Sequence, residues 1–153
     1  MIINKSGDIL KANENYICHQ VNVQGIMGGG LARQIANLYP NVEEEYSRLC
    51  NNNKNDYKKL KGIFYNVRID KNRIIANCFT QKPNFDTDYE AVEECFRELF
   101  KQCKDFNRTI CLPYKYGCGI ANGKWNKILN IIENLSNEIG IDVNIYRLEE
   151  IWK

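Results

Sequence analysis

Glycine is concentrated at two places in this chain, as Gly25, Gly28, Gly29 and Gly30 and again as Gly117, Gly119 and Gly123. Each cluster stands between a short apolar run that reads as a strand and a periodic run that reads as a helix. A strand-to-helix junction leaves the first amide N–H groups of the helix without carbonyl partners and adds the positive end of the helix dipole. Without Cβ atoms, the backbone there also lets an anion come close. In an open α/β sheet such junctions lie beyond the carboxyl ends of the strands, where these folds hold ligands. Two of them can grip two phosphates. Either cluster alone is equally well read as turns that need positive φ; their joint placement is what points to a ligand.

Neither standard phosphate cradle accounts for them. Cys118 stands where a P-loop ending at Lys124 needs its first glycine, and Trp125 follows Lys124 where that loop needs Ser or Thr. The pair Gly117 and Gly119 would place the third glycine of the dinucleotide pattern at Asn122, and it comes too late in the chain to open a dinucleotide fold.

The elements around the clusters read as follows. Residues 1–4 and 16–23 are short strands. Leu31, Ile35 and Leu38 recur at helical spacing until Pro40 marks the stop, and Asn41 is placed to cap a second helix over 42–49 whose first turn carries Glu43, Glu44 and Glu45. Residues 51–61 are polar and read as a solvated loop. Residues 62–69 and 73–80 flank an Asp70-Lys71-Asn72 turn and form a hairpin-like pair. Tyr89, Val92, Phe96, Leu99 and Cys103 form one stripe on a helix that covers a sheet. A strand at 109–112, a loop at 113–122, a helix ended by Gly140 and a strand at 142–148 complete the chain. Strands alternating with helices imply an α/β sheet, largely parallel, with an antiparallel edge pair.

Composition narrows the function. At 153 residues the chain fits one domain spanning 1–153, and 44% hydrophobic with 26% charged residues suits a globular core. The formal charge is only +2, so nucleic-acid binding by bulk electrostatics is not indicated. Seven cysteines with no CxxC pair, a single histidine and no apolar leader are expected of reduced thiols in a cytoplasm, with no metal, no cofactor and no membrane contact.

The residues also resemble a family, the macrodomain. The resemblance rests on Gly7-Asp8-Ile9-Leu10, His19-Gln20-Val21-Asn22, Met27-Gly28-Gly29-Gly30-Leu31-Ala32, Tyr39-Pro40, Pro113 with Gly117-Cys118-Gly119-Ile120, and Val143-Asn144-Ile145-Tyr146, in one order over nearly the whole chain. It is similar above all to the branch that contains the terminal ADP-ribose protein glycohydrolases and the yeast-type ADP-ribose 1''-phosphate phosphatases. The resemblance implies a three-layer α/β/α sandwich with a mixed, roughly six-stranded sheet. It also implies a monomer that binds ADP-ribose and hydrolyses a derivative of it, either the 1''-phosphate or an ADP-ribosyl ester on protein or nucleic acid. A reader or scavenger that binds without turnover is the alternative.

Residue roles follow from the same resemblance. Asp8 would accept from the adenine amino group, with the Ile9 N–H reading the ring, and a capping role is the plain alternative for the carboxylate. Asn22 would meet the distal ribose. Gly28, Gly29, Gly30 and Leu31 would approach that ribose and the pyrophosphate, while Gly117, Cys118, Gly119, Ile120 and Ala121 wrap the pyrophosphate from the other side. Tyr146 would pack against the adenine or proximal ribose, or is plain core. The glycohydrolase branch uses a lysine and an aspartate, but Ala121 holds the place of that aspartate, and Thr80 or Gln81 that of the lysine, with Lys82 nearby. Catalysis is therefore assigned to His19, Asn22 and Asp86. His19 matches a histidine of the phosphatase branch and is otherwise a structural strand residue. Asp86 lies in the region that supplies that branch's acid, and Asp88 looks like a helix cap. Cys118 is either a thiol activated by its loop or a small packing residue.

Overall fold

Two strands rich in apolar residues, β2 (Tyr16–Val21) and β4 (Ile74–Phe79), run parallel inside the sheet with Ile17 opposite Ile75 and Cys18 opposite Ala76. Such runs are stable only where both faces are covered. In this computed structural model, which describes residues 1–148, β1 (Ile2–Ser6), β3 (Phe64–Arg68), β5 (Ile110–Pro113) and β6 (Val143–Arg147) complete six strands in the order β1-β6-β5-β2-β4-β3. Every neighbouring pair is parallel except β3 with β4. The last five residues of the expected domain, 149–153, lie outside the described residues.

Alternation along the strands sends side chains to two separate cores. On one face Val92, Phe96 and Leu99 of α4 (Tyr89–Asp105) and Ile128, Ile132 and Leu135 of α5 (Trp125–Ile139) close over Cys18, Ala76, Cys78 and Leu112. On the other, α1 (Gly30–Leu38), α2 (Pro40–Asn52) and α3 (Tyr57–Leu60) bring Ile35, Val42, Tyr46 and Leu60 over Ile17, Ile75, Phe79 and Cys111. This is the expected three-layer α/β/α sandwich. Each fully buried Leu or Phe contributes roughly 1.5–3 kcal/mol by leaving water. Phe96, fully buried and stacked on Phe100, is a position where truncation to Ala costs about 3–5 kcal/mol.

Local chemistry departs from the sequence reading at three points. Pro40 follows the end of α1 at Leu38, as expected, but it also begins the next helix: it occupies the first turn of α2, where its missing N–H costs nothing, and Tyr39 rather than Asn41 is the cap residue. The polar stretch 51–61 contains α3, which Asp56 starts by accepting from the Lys58 N–H at 3.0 Å. After β1 the chain makes a short 3-10 turn over Ile9–Lys11, capped by Asp8. Asp88 is the cap of α4 as expected, accepting from the Ala91 N–H at 3.2 Å.

Candidate functional site

Strands β5 and β2 are neighbours, and the chain leaves their carboxyl ends in opposite directions. After β2 it crosses the α1–α3 face and reaches β4 by way of β3; after β5 it crosses through α5 to β6. This is a topological switch point, and it opens a crevice beyond the strand ends. The two loops that border it are those carrying the two glycine clusters, 22–29 and 114–124. Their placement on one edge of the sheet is what a shared ligand requires.

Turn geometry explains only some of these glycines. Gly117 has φ +72 and Gly30 φ +57, and a Cβ on Gly123 would lie 2.3 Å from the Gly117 carbonyl oxygen. Gly29 is different: its backbone is extended at φ −157, and a Cβ there would meet nothing within 4 Å. Gly119 likewise lies outside the left-handed region with open space around it, and a Cβ on Gly28 would touch only Ile26 at 3.9 Å. Neither φ nor packing inside the protein demands glycine at these three. The N–H groups of Gly28, Gly29, Gly30 and Leu31, and of Gly117, Gly119, Ile120 and Ala121, have no acceptor among the described residues. Eight such donors on loops that follow adjacent strands are what an anion cradle requires.

Both loops are held from beneath. Tyr46 donates its hydroxyl to the Asn22 carbonyl at 2.6 Å and also lies 3.0 Å from Asn22 Oδ1, while Glu43 accepts from the Met27 N–H at 2.8 Å. Asn22 Oδ1 accepts the Gln24 N–H as well. Its oxygen is therefore committed to the loop, and the NH2 group remains for a ligand. On the other side the Gly123 N–H donates to the Gly117 carbonyl at 2.8 Å and closes the second loop.

A polar network that sequence reasoning missed joins this second loop to the one after β4. Gln20 Nε2 donates to Thr80 Oγ1 at 3.1 Å and Thr87 Oγ1 at 3.2 Å, and Thr87 in turn donates to the Gly117 carbonyl at 2.7 Å. Thr80 Oγ1 and the Tyr116 hydroxyl lie 2.7 Å apart. The Thr87 N–H donates to the Ala121 carbonyl. The signal available in the sequence was the polar residue Gln20 in an apolar strand, which needs partners wherever it is not solvated.

The remaining assigned residues divide between the edge and the interior. Asp8, half-buried at the end of β1, commits Oδ1 to the Leu10 N–H at 2.9 Å and leaves Oδ2 open, and the Ile9 N–H has no acceptor among the described residues. Tyr146 is half-buried, and its hydroxyl donates to the buried Glu14 at 2.8 Å. Asp86 is exposed on a tight turn formed by Lys82 N–H to Asp86 O and Phe85 N–H to Lys82 O. Together with Lys82, Thr87 and Ala121 it lines a cleft of about 640 Å3. Asp88 is buried, capping α4 and accepting from the Tyr57 hydroxyl at 2.9 Å.

For two groups with open readings the geometry favours the structural one. His19 is only 2% exposed, its Nε2 lies 2.7 Å from Asn77 Oδ1 on the paired strand, and burial lowers its pKa. The imidazole so placed ties β2 to β4, and its buried Nδ1 has no partner among the described residues. The Cys118 thiol is raised, not activated, because partial burial outweighs the nearby Lys115. It makes a contact of 3.4 Å to the Tyr116 carbonyl and serves as a small packing group.

No family model matches the chain. Among curated proteins it is similar to the ADP-ribose 1''-phosphate phosphatase of Lodderomyces elongisporus, with 26% identity over 148 residues that cover 87% of this chain and 86% of that protein. It is also similar to the DNA ADP-ribosyl glycohydrolase of Thermus aquaticus, with 24% identity over 92% of this chain and 39% of that protein. Among solved structures the macrodomain of Mycobacterium tuberculosis DarG superimposes with a TM-score of 0.81 at 23% identity, covering 95% of this chain and 97% of that one. The chain therefore has the fold of this macrodomain structure.

Proposed function

We infer that the protein binds ADP-ribose along the carboxyl edge of its sheet and hydrolyses a derivative of it at the distal ribose. The observation that carries this reading is the set of glycines, Gly28, Gly29 and Gly119, which neither backbone conformation nor internal packing requires, beside unpaired N–H groups on both loops. Strand spacing adds a length argument. Asp8 follows β1 and the first glycine loop follows β2, three strand positions away, so about 14 Å separates the two. A ligand that reaches both is elongated, with a base at one end and its diphosphate near the switch point. The names borne by the similar proteins supply the chemical class: an ADP-ribose 1''-phosphate, or ADP-ribose attached to a nucleic acid.

In this reading Asp8 Oδ2 accepts from the adenine amino group, the loop N–H groups neutralise the diphosphate, and the Asn22 NH2 donates to the distal ribose. Binding energy gathered along the adenosine diphosphate fixes the anomeric carbon for attack by water. Asp86, on its tight turn, lines the same cleft as Ala121 and, unlike Asp88 and Glu90 there, has no helix N–H or lysine to hold, so it is the carboxylate assigned to activating that water. His19 acts only through the strand it steadies. Tyr146 contributes its ring, since its hydroxyl is occupied by Glu14.

One observation favours binding without turnover: Ala121 is 4% exposed and carries no acid where the glycohydrolase branch has one. Two assays separate the readings. Isothermal calorimetry tests binding, with ADP-ribose expected to bind more tightly than ADP; no heat with ADP-ribose would remove both readings. Release of phosphate from ADP-ribose 1''-phosphate, and of ADP-ribose from modified protein or DNA, tests turnover, and binding without either release would leave the reader.

A further inference from the structure

The stretch that carries Asp8 and Ile9 is held in shape from the far edge of the sheet. Between β1 and β2 the chain forms only the three-residue 3-10 turn Ile9–Lys11. One such turn has too few internal bonds to keep its own geometry, so partners elsewhere impose it. Asp8 Oδ1 accepts from the Leu10 N–H at 2.9 Å, and the Ile9 carbonyl accepts from the Ala12 N–H at 3.1 Å. The carbonyls of Leu10 and Ala12 go to a single side chain from 63 and 61 residues away: Arg73 Nη1 donates to them at 3.1 and 3.3 Å.

Arg73 stands just before β4, at the amino edge of the sheet and opposite to the crevice. Its side chain is only 20% exposed, with Nε donating to Asp70 Oδ2 at 2.7 Å and Nη2 to the Tyr39 hydroxyl at 3.3 Å. Asp70 Oδ1 also accepts the N–H groups of Asn72 and Arg73 at 2.9 and 2.8 Å, so the turn that bears the arginine is itself closed. Four acceptors from three segments of chain thus meet one guanidinium, a task for a rigid fork of donors that a lysine ammonium does not perform. The other end of the connection is fastened by Glu14, 5% exposed, which accepts from Asn144 Nδ2 at 2.9 Å and the Tyr146 hydroxyl at 2.8 Å, with Lys5 Nζ at 3.5 Å. Glu14 ties the connection to β6, and Arg73 ties the turn.

We propose that Arg73 is a positioning residue for base selection. Each member of the pair assigned to the base is one hydrogen bond from a residue whose carbonyl Arg73 holds, Asp8 through the Leu10 N–H and Ile9 through the Ala12 N–H. The guanidinium thereby keeps Asp8 Oδ2, an acceptor, and the Ile9 N–H, a donor, at one fixed spacing. That pattern suits the amino group and ring nitrogen of adenine and refuses a base with a carbonyl in place of the amino group. The proposal rests on the reading of the crevice as an ADP-ribose site. Arg73 itself touches no ligand, and its hydrogen bonds go to neither glycine loop, so its effect falls on the choice of base and not on the grip on the diphosphate.

The test compares, by calorimetry on the full chain, ADP-ribose with its hypoxanthine analogue, in which a carbonyl replaces the adenine amino group, and records melting temperatures alongside. The wild type is expected to prefer ADP-ribose at least about tenfold, because the analogue sets one acceptor against another. In Arg73→Met the preference is expected to shrink to about threefold or less, through weaker binding of ADP-ribose with the analogue little changed. Arg73→Lys keeps the charge and the stem but not the fork; it is expected to lose the preference as well, and it carries the test where Arg73→Met does not fold. An arginine that serves stability alone would lower the melting temperature and leave the preference intact, and that result in either folded variant overturns the proposal. A wild type that binds the two ligands equally overturns it too, with the ADP-ribose reading left standing. A wild type that binds neither removes that reading and the proposal with it.

Discussion

Thr87 donates its hydroxyl to the carbonyl oxygen of Gly117 at 2.7 Å, across the gap between the loop after β4 and the loop after β5. Its partner on the other side is Gln20, at 3.2 Å, so one side chain fixes the second glycine loop to the turn that carries Asp86. Thr87→Val keeps the shape and removes the hydroxyl, leaving Gln20 with one partner fewer. Loss of such a bond costs about 1–2 kcal/mol. Because the Gly123 N–H still holds Gly117, the cost falls on loop position. ADP-ribose affinity measured by calorimetry is expected to drop about tenfold while circular dichroism is unchanged.

The glycines of one loop separate into two kinds by a single methyl group. Gly119→Ala places a Cβ in open space at an ordinary φ, so melting temperature is expected to hold or rise slightly, while ADP-ribose affinity falls at least about tenfold because the methyl stands between amide and anion. Gly123→Ala forces a contact of 2.3 Å with the Gly117 carbonyl and is expected to lower the melting temperature. Thermal shift with and without ligand distinguishes them.

The pH dependence of stability follows from His19. Burial lowers its pKa below the ordinary 6.5, so the unfolded chain takes up a proton at a higher pH than the fold does. The contribution is complete above about pH 6.5 and is lost as pH falls below that toward the folded value. Melting temperatures taken between about pH 8 and 5 are expected to fall more steeply in the wild type than in His19→Gln, and parallel curves would contradict the burial argument.

Asp86 is exposed and outside both cores, so Asp86→Asn is expected to leave the melting temperature within about half a kilocalorie's worth of change. If it activates water, turnover of ADP-ribose 1''-phosphate falls about a hundredfold or more with ADP-ribose binding retained. Equal rates in the two proteins would take the catalytic assignment away from this turn.

What the sequence disclosed was governed by periodicity and glycine. The stripe Val92-Phe96-Leu99 and the apolar runs 16–21 and 74–79 repeat at the spacing their elements need, so α4, β2 and β4 were legible, and the glycine clusters marked the loops at the switch point. Pro40 was legible as the stop of α1 but not as the start of α2, because one proline can do both and only the path of the chain at Tyr39 shows it. The roles of Gln20, Thr80 and Thr87 were not legible, since their partners lie on strands and loops 60 or more residues apart for Gln20. For His19 the sequence left both a chemical and a structural role open, because the burial and the Asn77 bond that favour the structural one come from register between strands far apart in the chain.

The central claim is that the two loops at the β5–β2 switch point hold one diphosphate between them. A crystal structure of the protein with ADP-ribose tests it most directly. The account predicts diphosphate oxygens within hydrogen-bond distance of at least one N–H from residues 28–31 and one from residues 117–121, with the base beside Asp8. A diphosphate bound by side chains elsewhere, or one held by a single loop with the other turned away, would contradict it.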